Sequence, residues 1–159
     1  MDQDISKIAV GHFAGGCNCA QAVLASFAEP LGLDAPTAIR LATGFGVGMA
    51  RGGACGAVSA AVMVLGLAGG AGGPGSAPAK AATYARAKEF YDRFIDLNGS
   101  IICRDLIGLD PSTPEGLEQA RREKRFQAVC AKLVGDAARL VEAMLPPGGA
   151  SRSAGVART

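Results

Sequence analysis

At 159 residues, 49% of them hydrophobic and 19% charged, the chain has the length of one domain and enough apolar content for a core, which excludes a disordered chain. A net charge of +2 is too small for a dedicated nucleic-acid surface; the one basic run, Arg121-Arg122-Glu123-Lys124-Arg125, is broken by an acid and reads as a solvated helix face. Aromatic residues make up only 5% and Trp is absent, so the core must be packed from Ala, Leu, Val and Met, whose small bodies suit close-packed helices.

Taken in order, the acidic start Met1-Asp2-Gln3-Asp4 leads into no apolar signal segment. The residues 11–16, GHFAGG, read as a turn or loop. Asn18 is a candidate N-cap for a helix over 18–27, which places Cys19 in its first turn. Asp34 and Pro36 open a second helix running to about Thr43. The stretch 43–67 then stands out. Its first part is dense in glycine, including Gly44, Gly46, Gly48, Gly52 and Gly53; its second is an apolar segment of Ala, Val, Met, Leu and Ser, with Cys55 at the seam. Repeated glycine gives up chain entropy for positive φ or close backbone approach, so this loop reads as the shaper of a site, with Gly52, Gly53 and Gly56 around the cysteine. The spacing Gly44-x-Gly46-x-Gly48 is not a dinucleotide fingerprint, since no strand precedes it. The segment 54–67 is apolar all round and predicts a buried helix, and at its length it falls short of the roughly 20 residues of a membrane span.

Residues 69–78 form a Gly/Pro connection, and Ser76 with Pro78 opens a long helix to about Asn98, its apolar face assigned to Tyr84, Ala87, Tyr91, Phe94, Ile95 and Asn98. Ser100 caps a short segment to Ile107 carrying Cys103. Thr113-Pro114-Glu115 starts a further helix that either continues to Met144 or breaks near Phe126, with Cys130 beside its apolar stripe. Residues 148–159 read as a disordered tail, leaving one domain over 1–147. With no strand alternation anywhere, the expected fold is all-α: a compact bundle of five to six helices around the buried Ala/Val/Leu-rich helix.

The expected compartment is the cytoplasm, where thiols stay reduced, so five cysteines point to metal or redox chemistry before structural disulfides. Cys19, Cys55, Cys103 and Cys130 fall at or near expected element starts, where free N–H groups stabilise thiolate. No pair has C-x-x-C spacing, and Cys17-Asn18-Cys19 is only C-x-C, so spacing leaves a shared site and buried, inert thiols both open. The accessory candidates are Cys17, the single histidine His12, and Arg51 and Arg104, which flank Cys55 and Cys103 and could lower a thiol pKa or offset a cluster's charge.

The phrases FAGGCNCAQAVLASF, ATGFGVGMARGGACGAVSAAVMVLGL, GSIICRDLIGLD and CAKLVGDAARL, in this order, resemble the C_GCAxxG_C_C family of redox-active proteins, marked by four cysteines and a CGAxxG motif. The resemblance spans about Phe13 to Leu145 and implies that Cys19, Cys55, Cys103 and Cys130 are the family's four. A similar module that accompanies a multihaem cytochrome carries an iron–sulfur cluster, so the resemblance implies such a cluster held by the four thiolates for electron transfer, with zinc, or no metal, as the alternative. The other open readings are a metal-free thiol–disulfide redox protein and a structural helical module, the latter a homodimer packed on its Gly/Ala helix. The redox partner is unknown. Two departures from the pattern are Ala60 in place of the motif's final glycine and the extra Cys17.

Overall fold

The computed structural model describes residues 4–147; residues 1–3 and the expected tail at 148–159 lie outside the described residues. Among the described residues there are eight α-helices and no β-strand, against the five to six helices expected: α1 Ile5–Ala14, α2 Cys19–Ala28, α3 Ala35–Ala42, α4 Gly56–Gly69, α5 Ala77–Asn98, α6 Cys103–Ile107, α7 Pro114–Arg122 and α8 Ala131–Met144.

The helix starts follow local chemistry. Asn18 and Gln21 form a reciprocal capping box on α2, and Asp34 and Thr113 accept from the N3 amides of α3 and α7. Each such cap satisfies an orphan amide and contributes about 1 kcal/mol. α1 corrects the expectation of a loop at 11–16 over residues 11–14; Gly15 and Gly16 form the expected turn. Asp4 caps it through the Ser6 amide, and the helix absorbs Gly11 and His12 before closing at Gly15. The long helix buries Ala87 and Phe94 and half-buries Tyr91 and Asn98 as expected, but Phe90 is also buried, and Tyr84 and Ile95 face solvent.

α4 lies against α2, α5 and α8, and α1 lies against α2 and α8. Ala57, Val58, Ala60, Ala61, Val64 and Leu65 of α4 are all but fully buried among Val23, Leu24 and Phe27 of α2 and Phe90 and Phe94 of α5. The stacked Phe90 and Phe94 rings, 5.9 Å between centroids, are among the few large bodies in a core made mostly of small ones. Close approach depends on small residues elsewhere too. A Cβ on Gly135 of α8 would meet Val10 of α1 at 3.3 Å. Polar ties fix α8: buried Asp136 pairs with Lys132 at 2.6 Å, Lys132 reaches Asn98 of α5, and Arg139 donates to Ser6 of α1. No helix among the described residues is long and apolar enough to cross a membrane.

Candidate redox site

Cys19 is the first residue of α2, Cys55 precedes α4 as its N-cap, Cys103 begins α6, and Cys130 ends a wide π-type turn, Phe126–Cys130, that runs directly into α8. Four separate segments thus bring four thiols to the wall of one cavity of about 260 Å³. All four are buried, none exposing more than 9% of its surface. The other walls are mainly apolar: Phe13, Leu106, Ile107, Phe126 and Leu133, closed by Val47 and Leu117. Asn18 and Arg121 are the polar residues that reach it. Water-poor walls of this kind strengthen every charge interaction inside.

The residues 53–55 and 101–103 are laced together. Cys55 N–H donates to Ile101 O at 2.7 Å, Cys103 N–H donates to Gly53 O at 2.6 Å, and Ala54 and Ile102 form an isolated antiparallel bridge. This lacing fixes Cys55 relative to Cys103. Cys19 is fixed relative to Cys55 by a glycine. A Cβ on Gly56 would lie 2.7 Å from Cys19 Sγ and 2.7 Å from Phe45 O, so only glycine lets the starts of α2 and α4 meet here. Ala60, which stands in place of the motif's final glycine, is fully buried within α4.

The glycine-rich loop is a left-handed turn. Val47, Gly48, Met49 and Ala50 have φ of 55°, 60°, 56° and 58°. Three of the four carry side chains, and left-handed backbone costs such residues roughly 1–2 kcal/mol each. Strain of this size persists only where surrounding contacts over-determine it, and it concentrates at functional sites. Gly48 is irreplaceable for a second reason: a Cβ there would lie 2.5 Å from Gly53 N and 2.8 Å from Cys103 Cβ. The turn aims the Val47 amide at Cys19, and the amides of Ala20 and Ala57 donate to the same sulfur.

Only Cys19 is a stabilised thiolate. The Cys55 thiol donates to it, and against the opposing effect of burial this bond and the three amides lower its pKa to about 6 from an ordinary 9.0. Cys55 is pushed well up, first because its proton is held in that bond, then by burial and by the Cys19 charge. Burial, followed by the Cys19 charge, raises Cys103 to about 11, with Arg104 pulling the other way. Burial raises Cys130 to about 12, helped by the charges of Cys19 and Cys103. The expected cup of helix N-termini therefore stabilises one thiolate, not four. Cys130 departs most, because the backbone is helical on both sides of it and no free helix end faces its sulfur.

The accessory candidates separate. Arg104 donates from Nε to Gly52 O and from Nη2 to Arg51 O, both at 3.2 Å, and lies 3.9 Å from Asp110. Gly52, at φ 64°, faces Asp110 and Pro111 closely. Arg51 is exposed. Cys17 is half-buried against the core and His12 is exposed on α1; neither lines the cavity. The His12 carbonyl accepts from Cys17 N–H at 3.1 Å. The residues missed in the sequence are the walls Phe13, Val47, Leu117 and Phe126, together with Arg121, which belongs to the basic run and is exposed as expected yet also reaches the cavity.

Among the described residues, no three or more His, Cys, Asp or Glu side chains are grouped to hold a metal ion. The four thiols share the lining of one cavity.

Comparison with protein families gives a match. The family model described as "Putative redox-active protein (C_GCAxxG_C_C)" matches residues 17–144, which takes in all four cavity cysteines. Neither curated proteins nor solved structures give a match. The chain belongs to the C_GCAxxG_C_C family of redox-active proteins.

Proposed function

We propose that the protein is an electron-transfer module in which Cys19, Cys55, Cys103 and Cys130 ligate an iron–sulfur cluster. The observation that supports this most is the convergence of four buried thiols from four chain segments on one mainly apolar cavity. Thiolate is the ligand such clusters take, and four close the set. In a two-iron cluster each iron takes two protein thiolates, and the four cavity thiols match that count.

A bound cluster would supply one-electron chemistry at this site. The chain's own residues would do the rest. The Val47, Ala20 and Ala57 amides direct positive partial charge at Cys19 Sγ, and donors to cluster sulfur raise the potential. Apolar walls at Phe13, Ile107 and Leu133 keep water from the sulfurs. Cys55, Cys103 and Cys130 each give up a proton on ligation, so loading becomes more favourable with rising pH.

The test is anaerobic reconstitution with ferrous iron and sulfide, read by visible absorption and iron content. Cys19→Ser, Cys55→Ser, Cys103→Ser and Cys130→Ser should each lose or strongly weaken the chromophore, and Cys17→Ser should keep it. A wild type that takes up neither iron nor sulfide contradicts the proposal.

A second reading has its own support in the Cys19–Cys55 hydrogen bond, which joins a thiolate to a neighbouring thiol. Here the Cys19 thiolate would attack an external disulfide and release one of its sulfurs as thiolate; Cys55, giving up its one proton, would then displace the other sulfur as thiol and close the Cys19–Cys55 disulfide, so that two electrons and one proton pass to the external oxidant. Thiol mapping after mild oxidation should then find Cys19 and Cys55 lost together, with iron absent.

A further inference from the structure

The left-handed turn has no side-chain partner of its own that explains why it holds. Its hydrophobic residues give little: Met49 and Ala50 are exposed, and Val47 is half-buried at the cavity wall. What fastens it to the rest of the molecule lies at its exit. Gly53 is bonded to Gly48 O within the turn and to Cys103 N–H across the lacing. Beside that lacing, Arg104 spans two consecutive carbonyls, Arg51 O and Gly52 O, with two nitrogens of one planar guanidinium. The same guanidinium is oriented from behind by Asp110. A fork that reaches two acceptors at once is a property of arginine and not of lysine.

We propose that Arg104 is a positioning residue that straps the left-handed turn, Val47 to Gly52, over the cysteine cavity, so that its release opens the Val47 wall and exposes Cys19 and Cys55. Three links carry this. Arg104 follows Cys103 directly, so the strap is anchored on the site's own helix, α6. Its two acceptors are the last carbonyls of the turn. Val47, at the other end of the turn, both closes the cavity and donates its amide to Cys19. Cys130 enters from the Phe126–Cys130 turn, and both strap bonds go to the left-handed turn instead, so the opening is one-sided. The inference rests on the four cysteines being the working site and not on which cofactor they hold.

The experiment uses the full chain, reduced and metal-free, with N-ethylmaleimide as probe and peptide mapping by mass to read each thiol's alkylation rate. Arg104→Lys keeps the charge and adds no cavity but cannot span both carbonyls; Arg104→Ala removes both. Both variants should speed alkylation of Cys19 and Cys55 at least fivefold over wild type and leave Cys130 within twofold. Hydrogen exchange at the Val47 amide should quicken in parallel. Cys19 and Cys55 rates within twofold of wild type in Arg104→Lys overturn the proposal. So does acceleration of all four thiols together, which marks general loosening of the fold. These readouts need no iron, so their failure is distinct from failure to bind a cluster.

Discussion

At the scale of single residues, the site turns on a contrast between one thiolate and three thiols. Cys19 gathers three backbone amides and the Cys55 proton, while Cys103 and Cys130 meet mainly apolar walls. In the metal-free protein, the small fraction of openings that admit a reagent should therefore find Cys19 ionised. Its alkylation should rise through about pH 6, where the other three thiols remain protonated. Alkylation of Cys19 that rises only near pH 9 contradicts the amide cradle. Gly56 is the second critical position. Gly56→Ala sets a methyl 2.7 Å from Cys19 Sγ and from a backbone oxygen, and the backbone cannot yield cheaply. Overpacking of this kind costs about 1–3 kcal/mol. Chemical denaturation should show that loss, and iron uptake should fall with it.

At the scale of elements, the left-handed turn is where stability is given up for geometry. Ala50 is exposed and sits at φ 58°, so Ala50→Gly relieves the steric cost of the methyl without removing a buried contact. Relief of roughly 1–2 kcal/mol, less about 0.5–1 kcal/mol of extra chain entropy, predicts a small net gain in stability. A drop in the melting temperature of Ala50→Gly runs against this account. The turn is also where sequence was least informative. The glycines marked 43–53 as a shaped loop, but nothing in Val47, Met49 or Ala50 signals left-handed backbone, because it is imposed by the lacing to 101–103 and by Arg104. Helix starts were far more legible, since Asn18, Asp34 and Thr113 act within three residues of their own position. α1 was hidden because Gly11, Gly15 and Gly16 look like one loop locally; Gly15 and Gly16 do turn the chain, while packing on α2 and α8 carries the helix through Gly11. The face of α5 was legible at Ala87 and Phe94 but not at Tyr84 and Phe90, which look alike in sequence, so that only the packing partners choose between them.

At the scale of the whole molecule, the all-α class followed from the lack of strand alternation, while the cavity did not follow from any local pattern. Cysteines at 19, 55, 103 and 130 have no diagnostic spacing; their importance was legible only through resemblance over the whole domain. Their convergence depends on the packing of α2, α4, α6 and α8. That convergence has a thermodynamic signature in the reduced, metal-free chain. Cys19 is depressed from 9.0 to about 6, so its stabilising effect is lost as pH falls through 6 and is complete above 9. Cys55, Cys103 and Cys130 are raised, so their contribution is complete below 9; that of Cys103 and Cys130 is lost as pH climbs toward 11 and 12. The difference in unfolding free energy between wild type and Cys19→Ser should therefore grow from pH 6 to pH 9. A difference that stays flat over this window means Cys19 is not a thiolate in the fold.

The most direct test of the central claim is the iron and acid-labile sulfide content of the wild-type chain purified without oxygen. Four thiolates closing one cavity predict a coloured protein with iron and sulfide in equal amounts, lost together on acidification. A colourless protein free of both, with its four thiols intact, contradicts the assignment of Cys19, Cys55, Cys103 and Cys130 as cluster ligands.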